Sequence, residues 1–222
     1  MAWALGLFFT DGHLRPRVGY TAPRICFTQK TPELLYKLRA LLRSDTTIHY
    51  RPRQQYNRKT AGAVFQFAIA NARLGARLME LGITPRKSLT IGFPEIPADF
   101  TRHFIRGCWD GDGSVLLHAN GRDLTAKFGC GSLRFVEGML HALGRDGFAE
   151  RRIYRKRSCG REIEYYYFVY SKRSHLESLF HYLYDDMAEH MYLARKYDAF
   201  MTYMARRVCA SADRTVPIIS IM

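Results

Sequence analysis

The sequence contains two related copies of one pattern, and this internal repeat limits what the chain can fold into. The segment ALGLFFTDGHL (4–14) aligns with IRGCWDGDGSV (105–115), and the offset of 101 residues persists downstream. The aligned positions are Gly6 with Gly107, Asp11 with Asp112, Gly12 with Gly113, Phe27 with Phe128 and Phe67 with Phe168, while Leu41 falls within one residue of Leu143. An order shared over a whole half-chain, almost without gaps, predicts a tandem duplication of one structural unit.

Each unit is predicted to contain a helix, two strands, a second helix, two more strands and a closing helix. Segments 13–20 and 24–30 alternate polar and apolar residues around a turn, which indicates a half-buried hairpin. The leucines of segment 32–42 recur at helical spacing. Because hairpins and helices alternate, we expect an α+β fold of two αββαββα halves, each with helices covering one face of an antiparallel sheet.

Four regions are predicted along the chain. The N-terminal half spans 1–83 and ends in a helix-like segment. A linker with three prolines spans 84–100, the C-terminal half spans 101–207, and a tail spans 208–222.

The charge balance indicates a polyanionic partner. The chain has 34 Lys and Arg against 20 Asp and Glu, a formal net charge of +14 and a pI near 9.8. This excess favours nucleic acid over a membrane surface, although a basic fold without such a ligand stays open, because net charge alone does not name a ligand.

The cysteines and the apolar segments bound the cellular setting. The five cysteines are widely spaced and include no C-x-x-C pair, so neither a zinc ribbon nor a disulfide framework is expected. The apolar start of the chain lacks a basic region, and no run approaches the length of a membrane span. We therefore expect a soluble protein of the cytoplasm, or of an organellar matrix if it is organelle-encoded, that is neither secreted nor membrane-bound.

One face of each predicted sheet is polar. Leu14, Val18, Ile25 and Phe27 share one parity and are expected to pack on helices, and the same holds for Val115, Leu117, Ala126 and Phe128 in the second half. A cationic outer face can lie in the major groove of DNA, although alternation alone predicts only a solvated face. The residues predicted to contact DNA, on outer faces or hairpin tips, are His13, Arg15, Arg17, Arg24, Thr28, Lys30, Arg51, Arg53, Gln55, Arg58, Ser114, His118, Arg122, Thr125, Lys127, Arg151, Arg155, Lys156, Arg157 and Arg161. Cys26, Cys130 and the aromatic run Tyr165–Phe168 are interpreted as packing residues.

Acidic residues stand at the end of each copy of the first motif. The stretch DGDGS resembles the start of a calcium loop, but its sixth position is Val115 and its twelfth is Gly121, so this interpretation fails. A D-x-D site for a nucleotide sugar would need Asp110, whose counterpart is Phe9. The repeat therefore marks Asp11 and Asp112 as the functional pair, and Asp110 is interpreted as capping or solvating the helix end.

ALGLFFTDG and IRGCWDGDG resemble the two signature helices of LAGLIDADG homing endonucleases in their single-chain form. The segment before the second motif (81–97) and the segment 182–200 are similar to the family's usual approach and closing segments, so the likeness covers about residues 2–200. The resemblance implies two sheets forming a saddle on DNA. It also implies a metal-dependent, sequence-specific double-stranded DNA endonuclease that acts as a monomer.

The resemblance also implies the layout of the site. The motif helices would pack together at Gly6 and Gly107 and place Asp11 and Asp112 side by side. Two close carboxylates repel each other, and a divalent cation between them relieves that cost; oxygen ligands favour Mg²⁺, and Mn²⁺ or Ca²⁺ can occupy such a site. The family pattern adds as metal ligands the carbonyls of Thr10 and Gly111. It also suggests, as catalytic residues that stabilise phosphate charge, Lys87 and Lys196, which we place just after the last strands of their halves.

Other functions remain open at this stage. The main alternative is a non-cleaving nucleic-acid binder on the same scaffold, either an RNA-splicing maturase or a transcription regulator. An endonuclease excised from an intein is a third possibility. For the leading hypothesis, the outer faces differ, with Arg15, Arg17 and Arg24 against Leu116, His118 and Thr125, so the DNA partner is expected to have two non-identical half-sites.

Overall fold

Helices and hairpins alternate in the N-terminal half in the order that the sequence predicts. The computed structural model describes residues 1–17, 19–20, 23–53, 62–157, 164–187 and 191–212. The elements of this half are α1 (Ala2–Thr10), β1 (His13–Arg15), β2 (Arg24–Gln29), α2 (Glu33–Leu41), β3 (His49–Arg53), β4 (Gly62–Ile69) and α3 (Ala72–Glu80). Helix α2 buries Leu34, Leu35 and Leu38 against the sheet, as its apolar spacing predicts.

The C-terminal half repeats this order and adds one helix. Its elements are α4 (Ala98–Asp112), β5 (Ser114–Leu117), β6 (Leu124–Cys130), α5 (Leu133–Arg145), β7 (Tyr154–Arg157), β8 (Glu164–Tyr170), α6 (Arg173–Tyr184) and α7 (Ala194–Ala212). Helix α7 packs against β5 and β6. The described part of the N-terminal half shows no counterpart of α7.

The two sheets have the same topology, with strand orders β1-β2-β4-β3 and β5-β6-β8-β7, and all pairs are antiparallel. Phe27 lies opposite Phe67 in the first sheet, and Phe128 lies opposite Phe168 in the second. All four rings are buried. The offset of 101 residues therefore relates positions in space as well as in sequence, which confirms the predicted pair of α+β halves.

The segment between the halves is partly helical. A short 3-10 helix, Lys87–Leu89, lies within the predicted linker 84–100, and α4 already begins at Ala98. Helix α7 continues to Ala212 and so includes the first five residues of the predicted tail, 208–212, and residues 213–222 lie outside the described part. Among the described residues, no helix combines the length and the apolar character needed to cross a membrane.

Candidate active site and DNA-facing surface

The motif helices α1 and α4 touch through their backbones at two glycines. A Cβ atom built on Gly6 would lie 2.6 Å from the backbone nitrogen of Cys108, and one built on Gly107 would lie 2.9 Å from the carbonyl carbon of Trp3. Both distances are shorter than real Cβ contacts. Only glycine at these positions lets the helices approach this closely, which is the general use of small residues in tight helix pairs.

Two equivalent side-chain pairs cross this helix interface, and they differ in chemistry. Trp3 Nε1 donates a hydrogen bond of 2.8 Å to Asp110 Oδ2. At the positions related by the offset of 101, the rings of Phe104 and Phe9 meet edge to face with centroids 5.3 Å apart. Asp110 is buried, so its interpretation as a solvated or capping residue at the helix end is wrong. Burial raises the pKa of Asp110 to about 6, against the hydrogen bond from Trp3.

The two predicted catalytic acids lie at the same end of the paired helices. Asp11 caps the C-terminus of α1, and Asp112 is the last residue of α4. Burial raises the pKa of Asp11 to about 6, and the negative charge of Asp112 adds to this rise. Desolvation of its carboxyl group also raises the pKa of Asp112, and the positive charges of Lys87 and Lys196 oppose this rise. The carboxylate of Asp112 is therefore close enough to disfavour the charged form of Asp11.

Lys87 and Lys196 are buried rather than extended into solvent, with exposed fractions of 4% and 0%. Lys87 Nζ donates to the carbonyls of Phe9 at 2.7 Å and Thr10 at 3.0 Å. Lys196 Nζ donates to the carbonyl of Trp109 at 2.6 Å and to that of Asp110 at 2.7 Å, with a longer contact of 3.5 Å to Gly111 O. Each ammonium thus satisfies carbonyls at the C-terminus of a motif helix, where the helix dipole favours a cation.

The placement of these lysines differs from the prediction. Lys87 lies in the 3-10 helix that follows α3, and Lys196 lies in the first turn of α7, so each follows a helix and not the last strand of its half. Burial lowers the pKa of Lys87 and lowers that of Lys196 to about 8. The nearby acids oppose this shift, so the site contains two carboxylates and two ammonium groups in close proximity.

The donor atoms at this site fit a hard divalent cation. Asp11 Oδ2 is buried and has no hydrogen-bond partner among the described residues, which leaves a carboxylate oxygen available as a ligand. No cluster of three or more His, Cys, Asp or Glu side chains suited to a metal is found in the described ranges. The protein would therefore supply the two carboxylates, and other ligands would be backbone, water or substrate oxygens. Of the predicted carbonyl ligands, Thr10 O already accepts from Lys87, and Gly111 O has only the 3.5 Å contact.

Two further residues lie next to the acids and were not predicted as site residues. Gln29 ends β2, and its side chain lowers the pKa of Asp11. Cys130, interpreted from sequence as packing, ends β6 and lines a cavity of about 120 Å³ together with Asp112 and Lys87. Gln29 and Cys130 are related by the same offset of 101 residues. The repeat was the signal that could have found them, because each ends the second strand after its acid.

The outer face of the first sheet is cationic. Arg15 lies opposite Arg24 across β1 and β2, and Arg51 lies on the same face of β3. Like charges opposite each other in a sheet are destabilising. A polyanion bound on this face would therefore reduce the repulsion between these arginines. Among the predicted DNA-contacting residues of this half, Arg15, Arg24, Lys30 and Arg51 are exposed, and His13, Arg17 and Thr28 are half-buried. On the opposite parity Leu14, Ile25 and Phe27 are buried, as predicted, and Val18 lies outside the described residues.

The outer face of the second sheet is aromatic. Tyr154 and Tyr167 lie opposite each other and stack with centroids 5.4 Å apart, and Tyr165 stacks on Tyr167 at 6.1 Å. Lys127 Nζ lies 5.2 Å and 5.9 Å from the ring centroids of Tyr167 and Tyr165. Phe168 is buried, in agreement with the interpretation of the run Tyr165–Phe168 as packing residues, whereas Tyr165 and Tyr167 are half-buried and pack on each other on the outer face. Ser114 and His118 are exposed, Thr125 is half-buried, and His118 and Thr125 hydrogen-bond each other at 2.9 Å.

The cations predicted around the second hairpin of this half are split between the two faces. Lys156 lies on the outer face opposite Tyr165, whereas Arg155 and Arg157 lie on the other face and contact Glu164 at 3.1 Å and 3.9 Å. Arg151 lies over the ring of the buried Tyr170, so it is not on the outer face either. Arg122 is exposed in the turn between β5 and β6. Gln55, Arg58 and Arg161 lie outside the described residues, and of Arg53 only the backbone is described.

Comparison with known proteins agrees with this geometry. The model of a LAGLIDADG-like domain matches residues 1–88 and 99–181. The chain belongs to the LAGLIDADG family. Each match of the LAGLIDADG-like domain contains one motif helix and one complete sheet. No curated protein matches the chain.

Solved structures share the LAGLIDADG fold at low sequence identity. The LAGLIDADG meganuclease I-AabMI bound to uncleaved DNA has a TM-score of 0.59 at 14% identity, covering 96% of this chain and 92% of its own. A variant of the homing endonuclease I-DmoI, in complex with nicked target DNA in the presence of Mn, has a TM-score of 0.52 at 14% identity, with coverages of 84% and 96%. Full-length DUF199/WhiA from Thermatoga maritima has a TM-score of 0.53 at 13% identity, with coverages of 96% and 66%.

Proposed function

We propose that this chain is a metal-dependent, sequence-specific endonuclease of double-stranded DNA that acts as a monomer. The observation that carries the proposal is the position of Asp11 and Asp112 at the same end of two glycine-packed helices. A pure binding protein has no need of two carboxylates so placed that the charge of Asp112 raises the pKa of Asp11. Because both halves are in one chain, a single molecule can bind a site whose two half-sites differ.

Asp11 and Asp112 would hold Mg²⁺, with Mn²⁺ or Ca²⁺ as possible substitutes. When bound, such a cation supplies a Lewis acid for phosphate oxygens and makes bound water more acidic. The carboxylates provide the negative charge that attracts it, and the unpartnered Asp11 Oδ2 provides a free ligand atom. Lys87 donates to the carbonyls of Phe9 and Thr10, and Lys196 donates to those of Trp109 and Asp110, so the two lysines fix the ends of both motif helices.

The sheets would bind the DNA on either side of this centre. The net charge of +14 provides long-range attraction, and the cationic face of the first sheet provides local contacts to phosphates and base edges. Phosphate contacts position a protein on the duplex, whereas contacts to base edges select the sequence. The two sheets would therefore determine which phosphodiester bonds of the DNA lie next to Asp11 and Asp112.

Substitution of the acids tests the proposal. After a target is selected from a randomised duplex library, we expect Asp11→Asn and Asp112→Asn each to reduce the cleavage rate by at least about 100-fold, since losing a metal ligand costs more than losing its outer support. Binding, measured by fluorescence anisotropy, should change little. Asp99→Asn is the matched control, because Asp99 is an exposed acid on the same helix as Asp112. Unchanged cleavage in either acid variant would refute the proposal, and chelation of divalent cations should stop cleavage of the wild type.

A non-cleaving nucleic-acid binder is the second candidate. The carbonyl of Thr10, one of the predicted metal ligands, already accepts a hydrogen bond from Lys87. In addition, the fold is shared by DUF199/WhiA as well as by the nucleases. Specific binding of the selected duplex without cleavage in Mg²⁺ or Mn²⁺ would favour this candidate.

A further inference from the structure

We propose that the C-terminal half reads its half-site through apolar contacts with the methyl groups of thymine. This inference rests on the proposed binding of double-stranded DNA and assigns the base chemistry of one half-site. The surface concerned is the outer face of the second sheet, which we call the tyrosine face. Its described members are Ser114, Leu116, Thr125, Lys127, Tyr154, Lys156, Tyr165, Tyr167 and Val169.

Large apolar groups are exposed at both edges of the tyrosine face. Leu116 on the edge strand β5 is 55% exposed, and Tyr154 on the opposite edge strand β7 is 43% exposed. Natural sheets usually place charges on edge strands, and exposed apolar groups on a sheet indicate a surface that binds a partner. The stacked rings of Tyr165 and Tyr167 fill the space between these two edges.

The polar side chains expected to read bases from this face are already engaged. The ammonium of Lys127 lies against two tyrosine rings and is half-buried. His118 and Thr125 hydrogen-bond each other. The strand positions of the face include no Arg, Asn or Gln, the side chains that form paired hydrogen bonds with guanine or adenine. Arg152, which precedes β7, lies over the ring of Tyr154 at the edge of the face, with its guanidinium carbon 5.5 Å from the ring centroid. The face therefore offers ring edges and methyl groups where the first sheet offers guanidinium and amide groups.

Thymine is the base that matches such a face. In the major groove it presents a C5-methyl group, which apolar side chains contact. The occupant is a DNA half-site for two reasons. The tyrosine face occupies the position that the cationic face occupies in the other half, and Lys156 adds an exposed positive charge on the same side. Tyrosine hydroxyls can in addition hydrogen-bond to phosphates, which fixes register without selecting a base.

The first test is the target itself. Selection of bound duplexes from a randomised library should give thymine at two or more positions in the half-site under the C-terminal half. Replacing each of these thymines by deoxyuridine removes only the methyl group. We expect a loss of affinity of about fourfold per methyl in contact, the effect of removing one buried carbon from an apolar contact.

Variants then assign the effect to the tyrosine face. The double variant Leu116→Ala/Tyr154→Ala removes two exposed side chains and should abolish the penalty for deoxyuridine. Arg24→Ala, a change on the other sheet, should leave that penalty intact. A half-site without thymine preference, or a deoxyuridine penalty that persists in the double variant, would overturn the inference. If no duplex is bound specifically at all, the proposed function fails instead, and circular dichroism of each variant confirms that it is folded.

Discussion

The two sheets have the same interior and different outer faces. Inside, Phe27 pairs with Phe67 as Phe128 pairs with Phe168, and the strand orders are identical. Outside, the first sheet presents Arg15 and Arg24, and the second presents stacked tyrosines. Because alternate residues of a strand face opposite sides, one face can diverge after a duplication while the other keeps the fold. The comparison shows that the scaffold and the binding surface of this chain are encoded at separate positions.

The interface between α1 and α4 also combines positions that are the same in both halves with positions that differ. Gly6 and Gly107 are equivalent and perform the same steric role, whereas the pairs that flank them are aromatic on one side and hydrogen-bonded on the other. The positions in close backbone contact are glycine in both halves, whereas the side-chain pairs at the same interface differ between the halves. The four predictions below test where the two halves are equivalent and where they are not, from the largest expected effect to the smallest.

The largest effect is expected at the symmetric positions. Gly6→Ala and Gly107→Ala should each lower the free energy of unfolding by about 3 kcal/mol or more, because the added methyl group overlaps backbone atoms that cannot move aside. Urea denaturation measures this. Gly144→Ala is the control, since Gly144 is exposed in α5 with open space around it and should be neutral or stabilising. A small effect at either interface glycine would show that the helices are not packed backbone to backbone.

Substitutions in the Trp3–Asp110 pair should lower the stability by a smaller amount than those at the glycines. The equivalent pair Phe104–Phe9 has no such hydrogen bond to lose. Trp3→Phe removes the donor to a buried carboxylate and should lower the free energy of unfolding by about 1–3 kcal/mol. Asp110→Asn keeps an oxygen that can accept from Trp3 and should cost less, and it should retain substantial cleavage activity. Equal losses of cleavage in Asp110→Asn and Asp112→Asn would contradict the assignment of Asp112 alone as the acid of its half.

Base discrimination should change in one half-site at a time. Arg24→Ala should relax the preference only in the half-site under residues 13–70, by about 1–3 kcal/mol if its guanidinium binds a guanine edge. Lys127→Ala should act only on the other half-site and more weakly, because its ammonium already contacts two rings. Cleavage profiling over a randomised site measures both. Relaxation of both half-sites by one substitution would rule out one sheet per half-site.

The smallest effect concerns salt. Each cation that binds a phosphate contributes about 0.9 to the slope of log affinity against log salt. Arg15→Ala and Arg51→Ala should each reduce that slope, whereas Leu116→Ala should lower affinity without changing it. A flat salt dependence of the wild type would mean that the cationic face does not contact phosphates.

The sequence predicted the architecture well because architecture depends on periodic features. The repeat, the strand parity and the helix spacing all follow from residue order, and the buried Leu14, Ile25 and Phe27 confirm the parity. Asp11 and Asp112 were found because the repeat singles them out. Their placement together at the end of α1 and α4 follows from the fold.

What the sequence could not predict is where long polar side chains go. Lys87 and Lys196 are charged and flexible, so exposure is the usual expectation. Their burial depends on free carbonyls at the ends of helices from distant parts of the chain. Asp110 was misread for a similar reason, because its partner Trp3 is 107 residues away. The tyrosine face was missed because an aromatic run gives no sign of which of its members faces outward until the register is known.

The Trp3–Asp110 pair also determines which halves can pack against each other. Two copies of the C-terminal half, joined through α4, would set each Asp110 against Phe104 and bury two carboxylates with no donor. Two copies of the N-terminal half would instead bring together Phe9 and Trp3, and the indole nitrogen would lose its acceptor. Each half therefore favours the other half over a second copy of itself. If the chain were divided at the linker, we expect the fragments to associate as a one-to-one pair rather than as two homodimers.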